Sequence, residues 1–117
     1  MSDRFEDHRG VIQDLILERI DSVTRITTVK GAVRGNHYHL ETTQWTLVVS
    51  GRLRMAHGPG PYVITDMAPG EMMKHEPGEK HAWEALEDTD CLVFTRGPRA
   101  GENYESDTYR LDEPLLS

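Results

Sequence analysis

The sequence has little cysteine, few aromatic residues and no long apolar run, and each shortage excludes a class of protein. Cys91 is the single cysteine among 117 residues, so no disulfide can form within the chain. Its apolar neighbours indicate a buried, unreactive thiol. The longest apolar runs, 46–49 and 91–94, are much shorter than the about 20 residues that span a membrane, and the charged first residues do not resemble a signal peptide. We therefore expect a cytoplasmic protein without a membrane partner.

Basic residues are also in short supply. Lysine and arginine number 13 against 20 acidic residues, which gives a formal net charge of −7, and the basic residues form no stripe. Binding to nucleic acid depends on clustered positive charge, so we expect no nucleic-acid partner. Hydrophobic residues make up 37% and charged residues 28%, as in a globular protein. The length and the lack of a linker predict a single domain over 1–117, with a core at about 22–97 and an extended C-terminal tail at 98–117.

Short runs rich in β-branched and aromatic residues alternate with turn signals. The runs are 23–29, 45–49, 52–56, 62–65 and 91–95, and the glycine- or proline-containing turns are 30–31, 50–51, 58–61, 69–70, 77–78 and 97–98. This spacing is typical of an all-β sandwich or antiparallel barrel. We expect a hairpin around Ser50-Gly51, because glycine adopts the positive φ of a tight turn. The run 11–20 fits a helical stripe nearly as well as a strand, and we interpret it as a strand.

Three histidines and a glutamine are the candidate site. His37 and His39 are two residues apart, so on a strand they point to the same face. Gln44 opens the next run, and His81 follows the turn Pro77-Gly78. Neutral imidazole binds divalent first-row metals readily, and a barrel could hold three such ligands with positions left open for water or substrate. The sequence therefore predicts a site for a divalent metal ion, with Fe, Mn, Ni and Zn left open.

The same residues carry a resemblance to the cupins. The order His37-x-His39, Gln44 and Gly51 is similar to the first cupin motif, with glutamine in place of the usual glutamate, and Gly70 through Pro77-Gly78-x-x-His81 resembles the second. The resemblance covers roughly 31–95. It implies an all-β fold, a single cupin-type antiparallel β-barrel (a jelly roll, or double-stranded β-helix). In metal-dependent cupins the positions that match His37, His39, Gln44 and His81 bind the metal.

A narrower resemblance points to one branch of the cupins that works without metal. The stretches 7–10, 33–39 and 104–110 are similar to the 3,4-ketoisomerases of nucleotide-linked 4-keto-6-deoxy sugars. In that branch a histidine matching His37 or His39 moves a proton between carbons next to the sugar carbonyl. Tyr38 or Arg34 would stabilise the enolate oxygen, so the candidate catalytic residues are His37, His39, Tyr38 and Arg34.

The residues leave three functions open. The first is a metal-binding enzyme that acts on a small polar organic molecule through His37, His39, Gln44 and His81. The second is the metal-independent isomerase or epimerase, whose substrate is a sugar derivative. The third is a binding module with the same cup and no turnover. A barrel this short with an extended tail also predicts a homodimer, in which each tail covers the other subunit.

The remaining histidines and the two tryptophans have less informative surroundings. His8, His57 and His75 lie among charged, glycine or proline residues, so we expect solvated surface side chains and exclude them from the site. Trp45 and Trp83 flank the candidate ligands, and packing in the core and lining of a substrate cavity are equally compatible with the sequence.

Overall fold

A computed structural model of the protein describes residues 4–58, 61–98 and 106–116. These residues form strands and connecting loops, and within them no helix is present. The strands are β1 (Arg4–Asp7), β2 (Gly10–Gln13), β3 (Ser22–Thr28), β4 (Val33–Tyr38), β5 (Thr43–Ser50), β6 (Leu53–Gly58), β7 (Val63–Met67), β8 (Met72–His75), β9 (Lys80–Ala85), β10 (Thr89–Arg96) and β11 (Tyr109–Arg110). The described part of the chain contains no helix that is long and apolar enough to cross a membrane.

The strands form two antiparallel sheets that face each other, together with a separate hairpin. One sheet has the order β3-β10-β5-β8 and the other β11-β4-β9-β6-β7, and the hairpin consists of β1 and β2. Neighbours in the chain mostly lie in different sheets, which is the arrangement of a jelly roll. The predicted fold class, an all-β cupin-type barrel, is confirmed.

Alternation of buried and exposed residues along the strands builds the core between the two sheets. In β10 every second residue is buried, from Thr89 to Thr95. The apolar cluster contains Val48, Leu53, Met55, Met67, Trp83, Cys91 and Val93, with residues from both sheets. Cys91 is fully buried, and burial raises the pKa of its thiol to about 11, in agreement with the expected unreactive cysteine.

The expected hairpin at Ser50-Gly51 is wrong. β5 pairs with β10 and β8, whereas β6 pairs with β9 and β7, so Gly51 carries the chain from one sheet to the other. Its φ is +84°, and a Cβ on Gly51 would lie 2.2 Å from the carbonyl oxygen of Asp88. The glycine is therefore required by a close backbone approach and a positive φ, and both conditions occur outside hairpins.

The strand expected over 11–20 is shorter in the structure, and the described part of the tail lies on the barrel. The strand predicted over 11–20 ends at Gln13, and the following residues cross the barrel without regular structure. Glu18 forms ion pairs there with Lys74 and Arg96. In the tail, 99–105 lie outside the described residues. The part from 106 to 116 lies on its own barrel, where β11 pairs with β4.

Candidate functional site

A β-bulge in β4 determines which side chain joins the site. Gly35 pairs with Ala82 and His37 pairs with His81, so Asn36 is one extra residue in the strand. Gly35 and Asn36 both have positive φ, +88° and +58°. A Cβ on Gly35 would lie 3.0 Å from the Cα of Ala82 and from the carbonyl oxygen of His81. The bulge thus brings His37 directly beside His81, and only glycine allows the two strands to approach this closely.

The structure brings His37, His39 and His81 together between the sheets. The ring centroids of His37 lie 4.8 Å from His39 and 4.7 Å from His81. One ring nitrogen from each of the three lies within 4.8 Å of the other two. His39 and His81 are each only 2% exposed, and His37 is half-buried at the cavity. Imidazoles from two separate stretches of the chain therefore converge on one point.

Hydrogen bonds fix the tautomer of two of these rings. The Nδ1 of His39 lies 2.7 Å from the carbonyl oxygen of Asp107, and the Nδ1 of His81 lies 3.4 Å from that of Glu79. A carbonyl oxygen only accepts hydrogen bonds, so each Nδ1 carries the proton and each Nε2 keeps its lone pair. The Nε2 of His81 is buried and has no hydrogen-bond partner among the described residues. Such a nitrogen is suited to bind a cation or to accept a proton.

Burial lowers the pKa of His81 well below its ordinary value. The removal of water from the ring is the largest cause, and the neighbouring rings of His75, His37 and His39 act in the same direction. His81 is therefore neutral at physiological pH. A neutral ring can act as a metal ligand or as a hydrogen-bond acceptor without prior loss of a proton.

A cavity of about 340 Å³ opens onto these rings. His37, His81 and Gln44 line it, with Gln44 contributed by the opposite sheet and 4% exposed. Arg34 and Arg110 also line it. Arg34 is held in place because its guanidinium donates to the Thr28 hydroxyl and the Thr27 carbonyl, both at 3.0 Å. The cavity thus combines imidazoles and an amide with guanidinium groups.

The two tryptophans have different roles, which the sequence left undecided. Trp83 lines the cavity, and its buried Nε1 has no hydrogen-bond partner within the described part of the chain. Trp45 lies on the outer face of its sheet, where the ammonium group of Lys74 is 5.4 Å from the ring centroid. Trp83 therefore presents a donor and an apolar surface to a ligand, whereas Trp45 packs under a lysine.

Tyr38 is separated from the other candidate catalytic residues. It follows His37 on β4 and points to the other face, where its ring stacks on Tyr109 at 5.4 Å. There it lines a second depression with Lys80 and Arg110. The alternation of a strand explains this position, because neighbouring residues cannot share a face. Of the four candidate catalytic side chains, Arg34 and His37 line the cavity, His39 lies behind them, and Tyr38 lies outside.

The expectation that His75 and His57 are solvated surface residues is wrong. His75 is 1% exposed, and its ring stacks on that of His81 at a centroid distance of 4.5 Å. His57 is half-buried and pairs with His81 across the strands. Both side chains lie on inward-facing positions, His75 in β8 and His57 in β6. Lys74, which precedes His75 in β8, therefore points outward. His8 is exposed, as expected.

Asp107 is a site residue that the sequence did not single out. Its side chain is buried and accepts hydrogen bonds from the backbone N–H groups of Leu40 at 3.0 Å and Glu41 at 2.8 Å. Burial by itself would raise its pKa, but these donors hold the pKa below its ordinary value. With its carbonyl on His39, Asp107 ties the tail to the site. Asp107 lies in the stretch 104–110 that resembles the 3,4-ketoisomerases, and this resemblance was the feature of the sequence that could have indicated it.

The comparisons with known proteins agree with this fold and place the chain in a family. The cupin family model matches residues 16–105, which is most of the chain. The protein therefore belongs to the cupin family, and the resemblance derived from His37, His39, Gln44 and His81 is confirmed at the level of the family. Among curated proteins, none matches the sequence.

Several solved structures share the fold at low sequence identity. The sugar 3,4-ketoisomerase QdtA from Thermoanaerobacterium thermosaccharolyticum, in complex with TDP, has a TM-score of 0.73 and 19% identity over 95% of this chain and 85% of its own. A dTDP-4-dehydrorhamnose 3,5-epimerase from Sulfolobus tokodaii has a TM-score of 0.68 and 23% identity over 90% of this chain and 70% of its own. Oxalate decarboxylase from Bacillus subtilis has a TM-score of 0.67 and 24% identity over 76% of this chain and 23% of its own. At these identities the likeness shows the fold.

Proposed function

We propose that the protein is an isomerase or epimerase of a nucleotide-linked keto sugar and that His37 is its acid–base catalyst. The observation that carries this proposal is the cavity, in which His37 lies beside neutral His81 while Arg34 and Arg110 line the same space. The solved structures that support it include enzymes whose names state 3,4-ketoisomerase and 3,5-epimerase activity. Both reactions begin with removal of a proton next to a carbonyl group.

The chemistry can be written with residues of this chain. An imidazole of His37 removes the proton from the carbon next to the keto group, and the C–H electron pair forms a C=C bond while the carbonyl oxygen becomes an enolate oxygen. Arg34, fixed by Thr28, would stabilise that negative charge. For isomerisation, the proton is added to the former carbonyl carbon. The hydroxyl group on the first carbon passes its proton to the enolate oxygen and becomes the new carbonyl group. Return of the proton to the first carbon from the other face would give epimerisation.

The charges of the cavity favour a nucleotide-linked substrate. The volume of about 340 Å³ suits a single sugar ring. Arg110 also lines the second depression, together with Lys80, Tyr38 and Tyr62. A guanidinium between the two spaces is suited to a diphosphate, because it can bind phosphate oxygens in a bidentate manner. In this arrangement the sugar enters the cavity and the nucleotide remains outside.

The proposal is tested by exchange of solvent deuterium into a keto sugar. The purified protein is incubated with TDP-4-keto-6-deoxyglucose in deuterated water, and proton NMR follows the ring carbons next to the carbonyl. We expect deuterium at these carbons and a product with the carbonyl or configuration changed, both lost in His37→Asn. His8→Asn is the control, because His8 is exposed and distant in the sequence from the cluster. Retention of all ring protons by the wild-type protein would contradict the proposal.

A second candidate function is that of a metal-dependent cupin enzyme. The ligand atoms of His37, His39 and His81 lie within 4.8 Å of one another, and the tautomer of His81 leaves its Nε2 available. The donor set therefore fits a divalent cation such as Fe, Mn, Ni or Zn, with Gln44 as a fourth, weaker ligand. Such an ion would supply Lewis-acid chemistry. The backbone carbonyl that holds the Nδ1 of His39 is a usual outer partner of a metal-binding histidine.

Metal analysis separates the two candidates. Protein purified without an affinity tag is measured for metal content, beside His81→Ala and the exposed control His8→Ala. Stoichiometric metal that is lost in His81→Ala alone favours the metal-dependent enzyme. Metal-free protein that exchanges deuterium favours the isomerase. Tight retention of a sugar nucleotide with neither metal nor exchange would favour the binding module.

We further propose a cytoplasmic homodimer, in which the hairpin of β1 and β2 contributes to the contact. Neither strand pairs with the barrel, and Phe5 and Ile12 are 57% and 70% exposed. An isolated two-stranded hairpin is marginally stable in water, so cover from a second copy would stabilise it. Light scattering should give a dimer, and Phe5→Ser combined with Ile12→Ser should give a monomer. A monomeric wild-type protein would contradict this part of the proposal.

A further inference from the structure

One turn contacts three of the clustered histidines. It connects β8 to β9 and contains Gly78 and Glu79. The side chain of Glu79 accepts a hydrogen bond at 2.7 Å from the Nδ1 of His75, and its backbone carbonyl lies 3.4 Å from the Nδ1 of His81. The N–H of Gly78 donates to the carbonyl oxygen of His39 at 2.5 Å. The turn is therefore joined to the site by one carboxylate and two backbone groups.

His75 supports His81 from the side away from the cavity. The two rings stack with centroids 4.5 Å apart and an angle of 17° between their planes. His75 is 1% exposed and does not line the cavity, whereas His81 does. The Nδ1 of His75 donates to Glu79, and the buried Nε2 of His75 has no hydrogen-bond partner among the described residues. His75 is thus oriented by one strong hydrogen bond and presents its ring face to His81.

We propose that Glu79 and His75 are positioning residues for His81. Glu79 orients the ring of His75 through its carboxylate, and it orients His81 through its carbonyl. The stacked ring of His75 then limits rotation of His81, so that the Nε2 of His81 stays directed toward the cavity. Groups that hydrogen-bond a metal-binding imidazole and orient it have this effect in other sites, where their loss typically costs about 10- to 100-fold in metal affinity or activity. The inference rests on the proposed site but not on its substrate.

A positioning role of Glu79 and a purely structural role, in which it only accepts a hydrogen bond from His75, predict different results when Glu79 is removed. If Glu79 only satisfied the Nδ1 of His75, its removal would lower stability and leave the ring of His81 unchanged. If it positions His81, its removal changes the tautomer and orientation of that ring as well. Glu79 also lies 3.8 Å from the Nδ1 of His57, so a separate variant at His57 is needed to isolate the path through His75.

The experiment measures the ring nitrogens of His81 by NMR in the ligand-free, ¹⁵N-labelled protein at about pH 8, where histidine is neutral. In the wild type we expect one tautomer for His81, with the proton on Nδ1. Glu79→Ala and His75→Ala keep the backbone carbonyl of residue 79, but they remove the stacked ring or the hydrogen bond that orients it. The ring of His81 can then rotate away from that carbonyl, so both of its nitrogen signals should shift toward a mixture of tautomers. Glu79→Gln should preserve the wild-type signals, because its amide oxygen still accepts from Nδ1. His75→Phe should preserve them too, because it keeps a ring that stacks.

Two controls complete the design. Glu76→Ala changes the same turn at a side chain that pairs with Lys74, and His57→Phe changes the other neighbour of Glu79. Both should leave His81 in its wild-type tautomer. In His57→Phe the signals can move slightly, because residues 57 and 81 pair across the strands. Identical His81 signals in His75→Ala and in the wild type would overturn the inference. Because no substrate is present, this result is independent of the deuterium exchange assay. Where exchange is found, Glu79→Ala should lower kcat about 10-fold or more, with a smaller change in KM.

Discussion

The two ends of the barrel interior differ in chemistry although the same strands build both. Inward-facing residues change from polar to apolar along β5, β6 and β9: Gln44, Thr46 and Val48 in β5; His57, Met55 and Leu53 in β6; and His81, Trp83 and Ala85 in β9. In β10 they change from Thr95 to Val93 and Cys91 before the strand begins at Thr89. The apolar end supplies hydrophobic stabilisation, and the polar end holds the imidazoles. In these strands the residues for stability and for function are thus separated, and variants at the two ends should have different consequences.

The largest expected effect is at the polar end. His37→Ala should reduce deuterium exchange by about 10²- to 10⁴-fold, the usual contribution of a general acid–base group. The free energy of unfolding should change by less than about 1 kcal/mol, because His37 is half-buried and outside the apolar cluster. Exchange rates and denaturant unfolding measure the two quantities. A variant that loses stability but keeps its exchange rate would contradict the functional role of the polar end.

At the apolar end the effects should be the opposite. Leu53→Ala removes a fully buried side chain of the core and should lower the free energy of unfolding by about 3 kcal/mol. Activity per folded molecule should remain near that of the wild type. The matched control is Leu17→Ala, since Leu17 is 72% exposed and should change stability little. Urea unfolding of the two variants tests the contrast, and equal losses would contradict it.

Asp107 is the residue that joins function to stability. Asp107→Ala leaves the N–H groups of Leu40 and Glu41 without their acceptor and should cost about 2 kcal/mol of stability. It should also loosen His39, whose Nδ1 donates to the backbone of the same residue. Asp112→Ala, at an exposed position of the tail, is the control. Chemical unfolding and the His39 ring signals in NMR measure the two effects. An unchanged midpoint would contradict a contribution of these two hydrogen bonds to stability.

The smallest effect should appear as a dependence of stability on pH. The pKa of His81 is lowered on folding by burial, and that of His57 is lowered for the same reason. The unfolded chain therefore binds more protons, so stability is full above the ordinary value of 6.5 and falls as the pH decreases toward the folded pKa. The slope for one such group approaches about 1.4 kcal/mol per pH unit. Unfolding between pH 8 and 5 should show this loss, and His81→Phe should reduce it.

Part of the fold and of the site could be read from residue patterns. Alternation and turn residues predicted an all-β barrel because a strand has a period of two whatever its neighbours are. The same period predicted that His37 and His39 share a face. The assignment of Ser50-Gly51 as a hairpin failed because local composition does not report which sheet a strand joins. The assignment of His75 as a surface residue failed because local composition does not report which face of a strand is buried.

The sequence by itself determined the alternation of strands and turns, the family and the three candidate imidazoles of His37, His39 and His81. The tertiary structure alone decided that a bulge at Asn36 pairs His37 with His81, that His75 lies behind His81, and that Tyr38 lies outside the cavity. The same holds for Asp107, which reaches His39 across 68 positions of the chain. The physical reason is that periodicity fixes the direction of a side chain relative to its own strand, whereas long-range pairing and close backbone approach fix which side chains meet.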